Sequence, residues 1–171
     1  MKWVLWILGG LVVLVGVVAA VGAILPVRHV ATRKARYQAA PDALYAILVG
    51  PPDWRPDVKA FGDATGENGR RRWWEADSHG KRVTFEQVAA RPGERLEVRI
   101  ADKGLPFGGT WTYDIAPVAA GGSELRITED GEVYNVIFRF VSKFVFGHHR
   151  SIETFLKNLG AKLGQPTEIE V

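Results

Sequence analysis

Arg150-Ser151-Ile152-Glu153-Thr154-Phe155-Leu156-Lys157-Asn158-Leu159-Gly160-Ala161-Lys162-Leu163 decides the fold. Ile152, Phe155, Leu156, Leu159 and Leu163 recur at helical spacing, whereas Arg150, Glu153 and Lys157 face away and Glu153 and Lys157 form a favourable i, i+4 pair. A helix that is apolar along one stripe has to cover a surface. That surface precedes it in the chain. Residues 70–77, 82–90, 95–101, 109–116 and 124–133 read as strands, bounded by Ser78-His79-Gly80, Arg91-Pro92-Gly93 and the glycine-containing stretches 104–108 and 117–122. Such a run of hairpins is an antiparallel meander. Alternation assigns Leu96, Val98 and Ile100 to one face and Glu97 and Arg99 to the other, with Trp111, Tyr113 and Ile115 likewise opposed to Thr110, Thr112 and Asp114. The apolar face is expected to be buried against Ile152, Phe155, Leu156 and Leu159.

Upstream, residues 29–38 alternate loosely, as an edge or early strand does. Pro41 and Asp42 open a short helix carrying Leu44, Tyr45, Ile47 and Leu48, which ends at Gly50. Pro51, Pro52 and Pro56 then hold Trp54 on a stiff corner. Between the meander and the last helix, residues 136–146 are apolar and aromatic, interrupted by Arg139, Ser142 and Lys143; they read as a helical entry loosened by Gly147. Residues 165–171 read as a frayed tail. The division is therefore a membrane segment at 1–26, one domain at 27–164 and a tail at 165–171.

Residues 3–25 carry no charged side chain, and as a helix they would span about 34 Å, enough to cross a bilayer. Trp3 and Trp6 stand where interfacial aromatics are favoured, and Pro26 closes the helix. The stretch exceeds the apolar part of an ordinary cleaved signal, which favours an uncleaved single-pass anchor, although Ala20-Val21-Gly22 also fits a cleavage site. Arg28, Arg33, Lys34 and Arg36 after the segment, against Lys2 before it, favour a cytoplasmic domain; the same cations also suit the outer face of a first strand. The 171 residues include no cysteine, which excludes a disulfide scaffold, thiolate metal sites and thiol catalysis. The balance of 22 Lys and Arg against 19 Asp and Glu is too even for a nucleic-acid binder.

The order of elements resembles the START-like (SRPBCC) superfamily, in its polyketide cyclase/dehydrase branch. The resemblance rests on Ala40-Pro41-Asp42-Ala43-Leu44-Tyr45, Pro52-Asp53-Trp54-Arg55-Pro56, Pro106-Phe107-Gly108-Gly109-Thr110-Trp111 and Ile127-Thr128-Glu129-Asp130-Gly131-Glu132-Val133, and it covers residues 30–163. It implies an α+β helix-grip fold, a curved antiparallel sheet of about seven strands around a long carboxy-terminal helix, with the membrane helix in front. It also implies a cavity for a hydrophobic ligand such as a lipid, sterol or polyketide. It supplies no catalytic motif, because different positions act in different branches.

Trp54, Trp74, Phe85, Trp111, Tyr113, Phe138 and Phe155 are the expected pocket lining, the alternative being plain core packing. A two- or four-residue loop at His79-Gly80 turns Arg72 inward with Trp74, where it would either suit a carboxylate or phosphate head group or reach solvent at the sheet end with its stem packed. A three-residue loop reverses the parity and turns Trp73 and Glu75 inward instead. The first is favoured, because the second buries a carboxylate. Leu105 and Phe107, apolar on a short glycine-bounded connection, are the expected entrance, closing over a ligand or touching the membrane, with residues 138–150 as the facing lip, the alternative being that both side chains plug the end of the core. His148-His149 lacks metal-ligand spacing, and no phosphate-cradling loop occurs, so no metal or nucleotide cofactor is expected. Three functions stay open. They are binding of a hydrophobic small molecule or lipid, a cyclase- or dehydratase-type enzyme using Arg72, Tyr113 and Glu129, and a non-catalytic interaction module.

Overall fold

The computed structural model describes residues 2–66 and 69–171. Helix α1 (Lys2–Ile24) leads into β1 (Arg28–Tyr37), α2 (Pro41–Val49) and a single 3-10 turn, Pro52–Trp54. Six strands follow, β2 (Ala60–Ala64), β3 (Arg72–Ala76), β4 (Arg82–Arg91), β5 (Arg95–Ile100), β6 (Phe107–Pro117) and β7 (Ser123–Val133). The chain ends with α3 (Val136–Val141), a π-helical turn (Ser142–Phe146), α4 (Arg150–Lys162) and β8 (Ile169–Glu170). All neighbouring strands pair antiparallel in the order β2-β3-β4-β5-β6-β7-β1-β8, a curved sheet of eight strands.

The sheet has one strand more than the seven or so expected, and β2 and β8 are the two not read individually from the sequence. One of them corrects the frayed tail: Ile169 and Glu170 pair with Ala35 and Lys34, Lys34 Nζ lies 3.0 Å from Glu170, and the Gln38 amide donates to Gln165 Oε1 at 2.9 Å. The reason is the free edge of β1, whose backbone groups would otherwise lie open.

Helix α4 seats Ile152, Leu156 and Leu159, all fully buried, in one cluster with Ala31 and Ala35 of β1, Ile115 of β6 and Leu125 and Ile127 of β7. The two alanines leave room for the helix to approach the sheet closely. Tyr37, also buried, donates its hydroxyl to the Leu156 carbonyl at 2.8 Å. Phe155 sits edge-on to Trp54 and Trp111. The expected burial of the β5–β6 face under α4 therefore holds for Ile115 and, through their contacts with Phe155, for Trp111 and Tyr113, while Leu96, Val98 and Ile100 line a cavity beyond the helix.

The β3–β4 hairpin adopts the parity that the sequence disfavoured. Ala76 pairs with Arg82, leaving a five-residue loop, and the odd count places Trp73 opposite Phe85 and Arg72 opposite Glu86. Asp77 builds this loop by accepting from the amides of His79 at 2.8 Å and Lys81 at 3.0 Å. Arg72 consequently lies on the convex face, where Glu86 is 2.6 Å from its Nε, and the Arg82 guanidinium lies 4.1 Å from the Trp74 ring centroid.

Candidate functional site

Where α4 leaves the sheet uncovered, a cavity of about 800 Å³ remains. The sheet supplies Trp73, Phe85, Leu96, Val98, Ile100, Trp111 and Tyr113, α2 and the proline corner supply Ile47, Leu48, Trp54 and Arg55, and the far wall is Ser142, Phe146, Gly147, Ser151 and Phe155. Its size falls inside the range of about 300–1,000 Å³ that small-molecule sites occupy, and the wall is mainly aromatic and aliphatic, with Asp57, Asp63, Glu75, Arg71 and Arg150 also on the lining.

One set of polar groups is paired at the proline corner. Arg55 Nη1 donates to Glu75 Oε2 at 2.8 Å, Arg55 Nη2 reaches Asp57 at 2.5 Å, and the Trp73 indole donates to Glu75 Oε1 at 3.0 Å. The carboxylate whose burial argued against this parity is thus paired by an arginine twenty positions earlier in the chain. Tyr113 lies 5.5 Å from the Phe155 ring, and burial raises its phenol above the ordinary tyrosine range, so it stays protonated at neutral pH. The Trp54 indole Nε1 is buried and has no hydrogen-bond partner among the described residues.

Of the residues expected to line the pocket, Trp54, Phe85, Trp111, Tyr113 and Phe155 meet in this cavity. Three do not. Arg72 and Trp74 face the other side of the sheet, and Phe138 stacks on Phe107 at 6.4 Å while remaining 41% exposed. The expected entrance is displaced as well: Leu105 and Phe107 are absent from the lining, where Gly109 inside β6 stands instead, and Phe107 stacks on Phe138 of α3. Arg55, Trp73 and Glu75 complete the site. The alternative parity points to Trp73 and Glu75, whereas in the sequence Arg55 is marked only by its place beside Trp54.

Glu129 lies at the back of this region rather than in the wall; burial raises its carboxyl, against which the Ser151 hydroxyl donates to it at 3.1 Å. His29 stacks on His148 at 3.8 Å and lies 3.7 Å from Glu129, and burial lowers both imidazoles below the ordinary histidine range. Among the described residues, no three His, Asp or Glu side chains are placed to hold a metal ion.

Residues 28–164 match the family described as polyketide cyclase / dehydrase and lipid transport, and the chain belongs to that family. No curated protein matches it in sequence. Among solved structures it is similar to a START superfamily protein from Mycobacterium smegmatis, at 16% identity and a TM-score of 0.59 over 80% of this chain and 97% of that one. It is similar also to norcoclaurine synthase from Thalictrum flavum, at 11% identity and a TM-score of 0.60 over 82% of this chain and 88% of the other. A third likeness is to the di-domain aromatase/cyclase StfQ of the steffimycin biosynthetic pathway, at 13% identity and a TM-score of 0.61 over 81% of this chain and 50% of that chain. At these identities the likeness establishes the fold alone.

Proposed function

We propose that this member of the polyketide cyclase / dehydrase and lipid transport family is a membrane-anchored binder of a hydrophobic small molecule, a lipid, isoprenoid or polyketide-like compound, held between sheet and α4. The observation that carries the reading is the largely apolar cavity of about 800 Å³ between sheet and α4. Apolar walls supply the affinity, and the Tyr113 hydroxyl orients an oxygen-bearing end. Of the three carboxylates on the lining, Glu75 has both oxygens accepting hydrogen bonds, from Arg55 and Trp73, and Asp57 is paired with Arg55, which leaves Asp63 and favours binding over acid-base chemistry by a convergent pair. Helix α1, of 23 residues, is long and apolar enough to cross a bilayer and serves as the anchor, with the cations that follow it holding the domain on the cytoplasmic side.

Uptake of a fluorescent fatty acid or sterol from liposomes tests the cavity. Val98 is buried in its wall, so Val98→Phe fills the space from within β5. Uptake is expected to fall about tenfold or more while the melting temperature changes little. Unchanged uptake by the filled variant would sink the reading.

A further inference from the structure

The stretch after β7 carries more exposed apolar surface than any use inside the cavity requires. Ile137 and Phe138 are both two-fifths exposed, and Phe144, Val145 and Phe146 are 57%, 63% and 50% exposed. A contiguous aromatic patch of this kind on a domain surface marks something that covers it. Its position beside α1 says what does. A Cβ on Gly22 would fall 1.9 Å from the Val136 carbonyl oxygen, so α3 rests directly on the helix at a position where only glycine fits. Gly22 precedes the end of α1 by two residues, about 3 Å along the axis, which places α3 at the depth of the last apolar turn rather than above it.

Arg139 fixes that arrangement. It is 8% exposed, and its guanidinium donates to the carbonyls of Gly22 at 3.1 Å, Leu25 at 2.9 Å, Val133 at 3.0 Å and Tyr134 at 3.1 Å. The last carbonyls of a helix have no partner within it, and near hydrocarbon leaving them unpaired is costly. One side chain therefore satisfies the end of α1, places a positive charge at the negative end of its dipole and joins it to β7 and α3. Lys143 and Arg150 flank the exposed aromatics, with Lys143 Nζ 5.6 Å from the Phe144 ring, the arrangement of a stem lying on apolar surface and a charge reaching head groups.

We propose that residues 136–146 are a bilayer-docking surface, seated in the lipid interface beside α1 and held there by Arg139, so that the cavity faces the membrane. The proposal rests on the anchor reading of α1. Ser142 and Phe146 belong both to this surface and to the cavity wall, and Gly147 adjoins them, so a ligand can pass between lipid and cavity without crossing water. Aromatic side chains at the interface insert to about 5–10 Å.

Because the chain has no cysteine, single substitutions report depth directly. Full-length protein carrying Phe144→Cys, and separately Ala119→Cys at the opposite end of the sheet, would be labelled with an environment-sensitive fluorophore. Each would then be reconstituted into phosphatidylcholine vesicles containing phosphatidylglycerol. A lipid bearing a nitroxide near its glycerol backbone should quench the label at 144 about threefold more than the label at 119, with aqueous iodide showing the reverse order. Equal iodide quenching at both positions would overturn the proposal. Adding Arg139→Gln to Phe144→Cys should lower the lipid quenching while the chain stays in the membrane; undiminished quenching would refute the clamp, and the protein with Arg139 intact decides the docking itself if that variant does not fold. Alkaline carbonate separates the two readings. A chain released into the supernatant refutes anchor and docking together, whereas a retained chain whose label at 144 stays open to iodide refutes the docking alone.

Discussion

Glu86 is almost fully buried on the convex face of the sheet, and it survives there as a carboxylate because Arg72, Arg70 and Arg99 approach it at 2.6, 3.1 and 2.7 Å. The Arg72 hydrogen bond is the chief cause that holds its carboxyl down to about 2 from an ordinary 4.5, with Arg70 and Arg99 adding to it against the cost of burial. A carboxyl that titrates lower folded than unfolded contributes stability that is whole above about 4.5 and is lost as pH falls toward about 2. Denaturant titrations at pH 7 and at pH 3 should therefore show Glu86→Gln much less stable than the parent at the first and closer to it at the second. A gap of constant size would mean that the cluster is not what the acid removes. The pair inside the cavity behaves differently. Arg55→Met leaves Glu75 buried without its cation and should cost about 3 kcal/mol, whereas an exposed pair would cost under about 1 kcal/mol.

Helix α4 is held by one stripe, and Phe155 is its contact with both the core and the cavity, touching Trp54, Trp111 and Tyr113. Phe155→Ala should cost about 3–5 kcal/mol in equilibrium unfolding, and a loss under about 1 kcal/mol would contradict the packing. This stripe was legible in the sequence because burial at a period of 3.6 residues leaves its mark in residue type, as did the alternation of β5 and β6. What stayed illegible is what depends on distant partners. The parity of β3 turned on whether Glu75 could be buried, and its cation comes from the proline corner. The pairing of Ile169 and Glu170 with β1 uses backbone groups that any residue carries, so residue type does not announce it. Arg139 stood out only as a charge inside an apolar run; that it caps a helix more than a hundred residues away became visible with the fold.

The molecule as a whole joins an apolar helix, an exposed aromatic segment and a cavity that shares residues with that segment, and each alone would have a duller explanation. A long apolar helix can be a leader, exposed aromatics can meet another protein, and a cavity can be a packing fault. Their continuity favours one process, movement of a hydrophobic molecule between bilayer and protein, and the central claim within it is that the cavity is occupied. Native mass spectrometry with extraction of bound lipids, on full-length protein purified out of its own membrane, addresses that claim. The expected result is a discrete hydrophobic molecule retained at one per chain and lost from Val98→Phe. A parent protein that flies empty, or that carries the same lipids as the filled variant, would contradict it.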